Sequence, residues 1–344
     1  MIAQNIEKLS GLCGVSGSEE AVADAVKTMF ERYCDKVYKD SLGSVVGIKK
    51  GSDSTKRAMI EAHIDEIGLM VTKITDDGFL KFTNVGGVDV RILPGNEVTV
   101  HGKKEIFGVC GAIAPHLLSK EELESVIPKE KLFIDIGFSK EEAQKYVSVG
   151  DCITFKSYPG YLGKKCYAAK SQDDRTSVCV LLDILKELEN VTLPFDLYVV
   201  GAVQEEVGLR GSATVTYAID PDFAIAIDVC HGDTPDASEN TFPLGSGTVF
   251  EVGPNISKKL SENIIKAMDE NNIKYSIEAC GGNTGTDAWA MQICKNGVPT
   301  ALFSLPLRYM HTPYETVCID DVKETSNAVC AFLQSLKKAG DALC

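Results

Sequence analysis

Two adjacent carboxylates, Glu205 and Glu206, are the side chains whose types and spacing most directly suggest chemistry. They follow a run from Phe195 to Gln204 that is largely apolar on both faces, which is typical of a strand buried inside a parallel sheet. Two ionised acids at the end of such a strand repel each other, and a metal ion beside them would remove the conflict. If the two glutamates stood alone, the better interpretation would be a solvent-exposed pair at the start of a loop.

Further imidazole and carboxylate side chains lie at the ends of other strand-like runs or in the turns that follow them. Imidazole nitrogen and carboxylate oxygen are ligands suited to Zn²⁺, and also to Co²⁺ or Mn²⁺. A single open catalytic zinc usually takes three protein ligands, so a larger set predicts two metal ions about 3.5–4 Å apart with one bridging carboxylate. The side chains in question are His63 with Asp65, Asp173, Asp228 and His311.

Strand geometry suggests how roles divide within this set. His63 and Asp65 are two residues apart and share a strand face, so Asp65 can accept the second ring N–H of His63 or position a neighbouring ligand. Neighbours on a strand point to opposite sides, so Glu205 and Glu206 are not expected to coordinate equally. One of the two would bind metal, and the other would act as general base toward a bound water.

The elements around these residues predict an α/β fold in the segments 1–66 and 163–344. Apolar positions recur at helical spacing from Asp174 to Leu188 and again from Asp320 to Lys338, and strand-like runs lie between them. Such alternation predicts a mostly parallel sheet covered by helices on both faces. Ligands bind outside the carboxyl ends of the strands in such sheets, which is where the candidate side chains are expected.

Residues 67–162 have a different sequence pattern, because short runs of β-forming residues there alternate with turn signals such as Thr75-Asp76-Asp77-Gly78. Regular short strands of this kind predict a small β-barrel or sandwich. The segment interrupts the α/β pattern, so we expect a β domain inserted into an α/β domain. A length of 344 residues is consistent with about two domains.

Composition excludes several classes of partner. A formal net charge of -14 disfavours nucleic acid and anionic membranes, since little positive charge is available to meet phosphate groups. No apolar run approaches the roughly 20 residues that span a bilayer, and the start has no secretory signal pattern. The 12 cysteines form no C-x-x-C pair and mostly lie in apolar runs, which predicts reduced thiols in a cytoplasmic protein.

Six stretches, in order along nearly the whole chain, resemble the M42 metallo-aminopeptidases. This family contains glutamyl-aminopeptidase-like and tetrahedral-aminopeptidase-like enzymes with a pair of catalytic metals. No single stretch is decisive, and the resemblance rests on the ordered set. The stretches are Ala62–Gly68, Asp173–Arg175, Gln204–Gly211, Ala226–Val229, Gly285–Ala288 and Leu305–Thr312.

The resemblance implies a zinc-peptidase-like catalytic domain that removes the N-terminal residue of peptides through a metal-bridging hydroxide. It implies that Glu205 is the general base, that Asp65 supports it, and that Asp173 bridges two divalent ions, most simply zinc or cobalt and alternatively manganese. It implies that residues 67–162 form a dimerisation domain and that dimers assemble into a homo-oligomer, a tetrahedral dodecamer. The implied metal ligands are His63, Asp173, Glu206, Asp228 and His311.

Two stretches depart from the family pattern. Lys170-Ser171-Gln172 stands where a small or apolar residue is expected before the first aspartate. The run from Gly281 to Asp287 is longer than the usual Gly-Gly-Thr-Asp, which could reshape the substrate pocket. Neither departure removes an implied ligand.

Some assignments stay open at this stage. His231 follows Asp228 closely and is ambiguous, His116 lies in a family-like stretch without a predicted chemical role, and His101 is expected in a surface turn. Alternative functions are a metal-dependent deacylase, a glycan-acting hydrolase and a non-catalytic self-assembling scaffold. A glycosidase would normally need two carboxylates and no metal, so sensitivity to chelation argues against it. The preferred N-terminal residue of a peptide substrate is not determined.

Overall fold

The computed structural model describes residues 2–235, 237 and 240–343 of the chain. Its helices are α1 Ile2–Ser10, α2 Glu20–Phe30, α3 Lys120–Leu123, α4 Lys140–Tyr146, α5 Gln172–Glu187, α6 Arg210–Ile219, α7 Lys258–Glu270, α8 Ala288–Met291 and α9 Ile319–Ser335. Short 3₁₀ turns cover Val90–Ile92, Pro115–Leu117, Lys129–Lys131 and Ala339–Leu343. Within the described ranges, none of the helices is long and apolar enough to cross a membrane.

The strands belong to one large sheet and one closed barrel. In chain order they are β1 Lys36–Lys39, β2 Val45–Lys49, β3 Arg57–His63, β4 Gly68–Ile74, β5 Leu80–Val85, β6 Glu97–His101, β7 Glu105–Gly111, β8 Phe133–Asp135, β9 Cys152–Phe155, β10 Gly160–Leu162, β11 Cys166–Ala169, β12 Asp196–Ala202, β13 Phe223–His231, β14 Thr248–Val252, β15 Tyr275–Ala279, β16 Thr300–Arg308 and β17 Glu315–Cys318.

Four parallel strands form the centre of the large sheet, in the order β12, β3, β13 and β16. On one side β2 pairs antiparallel with β12, and β1 pairs antiparallel with β2 because a short turn joins the two as a hairpin. On the other side β17, β11 and β10 follow antiparallel, and β14 branches from β16 to pair with β15. The predicted α/β class is confirmed, with three parallel pairings at the centre, antiparallel pairings on both sides of them, and a further parallel pairing between β14 and β15.

Helices pack on both faces of this sheet. On one face α1, α2, α5, α7 and α9 cover an apolar core that includes Val178, Leu181 and Leu185 of α5. On the other face α6 and α8 cover a smaller core. Every residue of α5 from Gln172 to Leu182 is buried, so the polar residues at its start are held inside the protein.

Six antiparallel strands close the barrel in the order β4-β5-β8-β7-β6-β9, around a separate apolar core. All six lie within the segment 67–162 that the sequence predicts to be an inserted β domain. The short strand β10 also falls in that segment, but it pairs with β11 in the large sheet. The domain boundaries and the dimerisation role of the insert stay predictions.

Candidate metal centre

The carboxyl ends of the central parallel strands bring the candidate side chains together. His63 ends β3 directly beside Ala202, the last residue of β12, and Glu205 and Glu206 follow three and four residues later. Asp228 lies on β13, the next strand along. His311 follows β16 after a short turn, and together with Asp173 these side chains line a cavity of about 290 Å³. Its size is close to that of small-ligand pockets.

Asp173 lies between the two histidines. Its Oδ1 is 3.1 Å from Nε2 of His63, and its Oδ2 is 3.3 Å from Nε2 of His311. The same His311 nitrogen is 3.3 Å from Oε1 of Glu206. One carboxylate therefore faces an imidazole on each side, which is the arrangement that a bridging ligand requires.

Nitrogen and oxygen atoms of these side chains form neighbouring clusters compact enough to surround a metal ion. One cluster contains Asp173 and Glu206 with His311, and the others are built around His63. The donor set is imidazole and carboxylate throughout, which suits zinc, cobalt or manganese. The three clusters are His63 with Asp174 and Asp228, His63 with Glu205 and Glu206, and Asp173 with Glu206 and His311.

The residues present fit a divalent cation on electrostatic grounds as well. Asp174, which a cis peptide bond joins to Asp173, is buried, and its Oδ1 has no hydrogen-bond partner among the described residues. Burial, followed by the charge of Asp228, raises the pKa of the Asp174 carboxyl well above its usual range. Burial likewise raises the pKa of Asp228. A cation among these carboxyls would relieve both burial and repulsion.

Asp65 anchors the turn that carries the glutamate pair. Its Oδ1 accepts the backbone N–H of Glu205 at 3.0 Å, and its Oδ2 accepts that of Glu206 at 3.2 Å. The Ser16 hydroxyl donates to Oδ2 at 2.6 Å, and Nδ1 of His63 lies 3.4 Å from Oδ1. Burial alone would raise the pKa of the Asp65 carboxyl, but His63 and Ser16 hold it below its usual range.

Glu205 is the buried member of the pair and the closer one to His63. Its Oε2 is 4.0 Å from Nε2 of His63. Burial raises the pKa of Glu205 to about 10, and although His63 opposes the shift, Asp228 is among the acids that add to it. A carboxyl in such surroundings readily holds a proton, which is a property of a group that carries protons during a reaction.

Glu315 is a buried residue of this site that the sequence patterns did not single out. Its Oε2 accepts the backbone N–H of Asp173 at 3.0 Å, and its Oε1 accepts that of His311 at 2.7 Å. One carboxylate thereby holds two predicted ligands that are far apart in the chain. The spacing of four residues between His311 and Glu315, at the start of a short strand, is the sequence signal that could have pointed to it.

The departure before Asp173 is explained by an ion pair. The ammonium group of the buried Lys170 lies 2.5 Å from Oε2 of Glu66, and Arg175 reaches Oε1 of the same carboxylate at 3.0 Å. The amide of Gln172 donates to the Tyr167 carbonyl at 2.8 Å. Lys170 and Gln172 therefore each have a polar partner inside the protein.

The remaining histidines lie in three different settings. His231, at the end of β13, lines the same cavity as the candidate ligands. His116 is exposed in the 3₁₀ turn Pro115–Leu117. His101 ends β6 half-buried, with Nε2 2.8 Å from the Thr154 hydroxyl, so the expectation of a surface turn is only partly met.

The chain is similar over most of its length to aminopeptidases of known sequence and structure. A sequence profile described as M42 glutamyl aminopeptidase matches residues 43–327. The lysyl aminopeptidase of Pyrococcus furiosus is 35% identical, over 94% of this chain and 94% of that protein. The solved structure of an aminopeptidase from Desulfurococcus kamchatkensis has a TM-score of 0.92 and 36% identity, covering 99% of this chain and 96% of the other.

A second solved structure is that of a TET peptidase from Pyrococcus horikoshii, which can assemble into a tetrahedron or a large octahedral shell. It matches with a TM-score of 0.86 and 33% identity, over 97% of this chain and 99% of that one. The similarity therefore extends over both the large sheet and the barrel.

Proposed function

This chain belongs to the M42 glutamyl aminopeptidase family, and we propose that it is a di-metal aminopeptidase that removes the N-terminal residue of peptides. The family and its relatives make the chain a peptidase. The observation that carries the finer proposal is Asp173, whose two carboxylate oxygens face His63 on one side and His311 on the other. Two ions sharing one carboxylate are the simplest occupants of that arrangement.

In this proposal the ligands divide around Asp173. His63 and Asp228 would complete one ion's ligands, and Glu206 and His311 would complete those of the other, with zinc or cobalt as the expected metals and manganese as an alternative. Bound divalent ions would polarise the scissile carbonyl and lower the pKa of a water molecule. Asp174 lies in the cluster with His63 and Asp228, so it is a further candidate neighbour of the first ion.

Glu205 would act as general base and then as general acid. It takes a proton from the attacking water, whose oxygen bonds to the scissile carbonyl carbon. As the carbon–nitrogen bond breaks, Glu205 returns the proton to the leaving amine. Asp65 keeps Glu205 in place by accepting the backbone N–H of Glu205. The acidic side chains of the cavity favour the free α-amino group of a peptide, which accounts for action at the N-terminus.

The quaternary structure proposed here follows the family. We propose that residues 67–162 form the dimer interface and that dimers build a larger homo-oligomer such as a dodecamer. The TET peptidase of similar structure can assemble into closed shells, and several apolar side chains of the insert are exposed on this subunit. The cytoplasmic location predicted from cysteine usage is part of the same proposal.

The test of this function is hydrolysis of a panel of aminoacyl chromogenic substrates by metal-stripped protein, alone and after addition of Zn²⁺, Co²⁺ or Mn²⁺. We expect turnover only after metal is restored, together with binding of two ions per subunit measured by mass spectrometry of the metal content. Acylated amines and oligosaccharides in the same panel test the deacylase and glycan-acting alternatives. Folded, assembled, metal-loaded protein that hydrolyses no aminoacyl substrate would contradict the proposal.

A further inference from the structure

Two glutamates outside the candidate ligand set line the same cavity. Glu251 lies on β14 and Glu278 on β15, and the two residues are direct partners in the parallel register of these strands. Paired residues of neighbouring strands project from the same face of a sheet, so their carboxylates lie side by side. Both line the cavity that contains His63, Asp173 and His311.

Neither acid has an ion-pair partner among the described residues, although His231 of the same cavity partly opposes the rise that burial causes in the pKa of Glu278. Among the described residues, no lysine, arginine or histidine nitrogen lies within ion-pair distance of either carboxylate. Like charges directly opposite each other across two strands destabilise a sheet. The two carboxylates therefore repel each other, and a cation bound in the cavity would relieve that repulsion.

Glu251 adds an independent observation, because its side chain is unpaired as well as buried. Its residue is only 5% exposed, and Oε2 has no hydrogen-bond partner among the described residues. Among the described residues, only the Ser304 hydroxyl donates to its other oxygen, at 3.5 Å. Burial, with the adjacent charge of Glu278, raises the pKa of Glu251 to about 7. A buried carboxylate left unpaired costs considerably more than one that is hydrogen-bonded.

We propose that Glu251 and Glu278 bind the cationic side chain of the substrate's N-terminal residue, so that the enzyme prefers peptides that begin with lysine or arginine. This inference rests on the aminopeptidase function proposed above. The bond to be cleaved lies at the candidate ligands, and the side chain of the residue being removed is the part of the substrate that extends elsewhere in the same cavity. An N-terminal glutamate would instead bring a third carboxylate to the pair.

The rest of the cavity wall suits such a side chain. Met310 offers an apolar surface for the methylene stem of a lysine, whose charged end can then reach the two acids. The lining also includes Thr284 and Gly285, from the run between Gly281 and Asp287 that is longer than the family pattern. The run that departs from the family pattern therefore contributes to the wall of this cavity.

The first test compares metal-loaded wild-type protein on lysyl and norleucyl p-nitroanilides, because norleucine has the lysine carbon chain without the ammonium group. We expect kcat/KM to be roughly 10- to 100-fold higher for lysine, which is the range of a charge-assisted hydrogen bond. Arginyl substrate should resemble lysyl substrate, and glutamyl substrate should be poorer than its neutral isostere, glutaminyl substrate.

The second test measures the same ratio of lysyl to norleucyl kcat/KM in Glu278→Gln, in Glu251→Gln and in the double variant. We expect each substitution to lower the ratio and the double variant to bring it close to one. Glu262→Gln is the matched control, since Glu262 is exposed on α7, and it should keep the wild-type ratio. If a variant at the buried Glu251 does not fold, Glu278→Gln and the wild-type comparison still decide the matter.

The outcomes separate this inference from the function on which it rests. Failure of every aminoacyl substrate would contradict the aminopeptidase itself. Efficient hydrolysis with equal use of lysine and norleucine, or with a preference for glutamate, would overturn only the assignment of the two acids. An equal loss on all substrates in the Gln variants would overturn it too, since the acids would then bind the α-ammonium group common to every peptide.

Discussion

At the scale of single residues, Asp173 and Glu205 are buried in the same cavity, but their surroundings shift the pKa values of the two carboxyls in opposite directions. Burial would raise the pKa of Asp173, but His311 and His63 on either side hold it below its usual range. Burial raises the pKa of Glu205, whose closest histidine nitrogen is 4.0 Å away. Surroundings that lower the pKa of one carboxyl and raise that of the other suit the first to stay ionised and the second to exchange protons.

This contrast predicts different outcomes for neighbouring isosteric substitutions. Glu205→Gln should lower kcat by on the order of 10²–10⁴ while leaving the metal content unchanged, because a general base is lost and no proposed ligand is. Glu206→Gln should lower the metal content, because a carboxylate ligand is lost. Activity and bound metal would be measured for both variants. Loss of metal from the Glu205 variant with full occupancy in the Glu206 variant would exchange the two roles.

At the scale of elements, the barrel contributes directly to the candidate site. The turn after β5 contains Gly86 and Gly87, and the carbonyl of Gly87 lies 3.0 Å from Nδ1 of His311. A ring N–H that donates to this carbonyl leaves Nε2 free to face Asp173 and Glu206. A Cβ at Gly87 would lie 2.7 Å from Nδ1 of His311, closer than side chains approach each other.

Gly87→Ala should therefore displace His311 and weaken metal binding, by roughly the 10- to 100-fold that is typical when a group supporting a metal ligand is lost. The affinity would be measured by titrating metal-stripped protein with Zn²⁺ or Co²⁺. Gly160→Ala is the matched control, since a Cβ at Gly160 has nothing within 4 Å. Unchanged affinity in the Gly87 variant would mean that the barrel does not orient His311.

At the scale of the whole molecule, exposed apolar side chains are frequent on the insert. Contiguous apolar surface on a subunit often marks an interface with another chain. Leu117 is 72% exposed, and several other side chains of the same segment are more than 40% exposed. They are Phe107, Ile113, Leu123, Val126, Val149, Tyr158, Tyr161 and Leu162.

We expect the double substitution Leu117→Asp and Leu123→Asp to shift the protein toward smaller species, because buried charges at an interface are costly. Sedimentation velocity would report the distribution of species. Leu42→Asp is the control, since Leu42 is exposed in the turn between β1 and β2, away from the insert. An unchanged distribution in the double variant would remove these leucines from the proposed dimer interface.

The sequence by itself determined the fold class, the order of the elements and the types of side chain at the strand ends. These follow from local patterns, because helical and strand periodicities and turn residues are written within 10 or so neighbouring positions. The closeness of His63 and Asp65 follows from their separation of two residues, although β3 ends at His63 and Asp65 lies in the segment after the strand. Residues of the family stretches then suggested which strand ends meet.

Only the tertiary structure decided which distant groups share the cavity. Glu251 and Glu278 become partners through the register of β14 and β15, and the approach of Gly87 to His311 joins positions separated by 224 residues. Glu315 is hydrogen-bonded to two chain segments at once. Apart from the short spacing of His311 and Glu315, these contacts arise from the packing of whole elements, because strand register and element crossing are determined by all the side chains of an interface together.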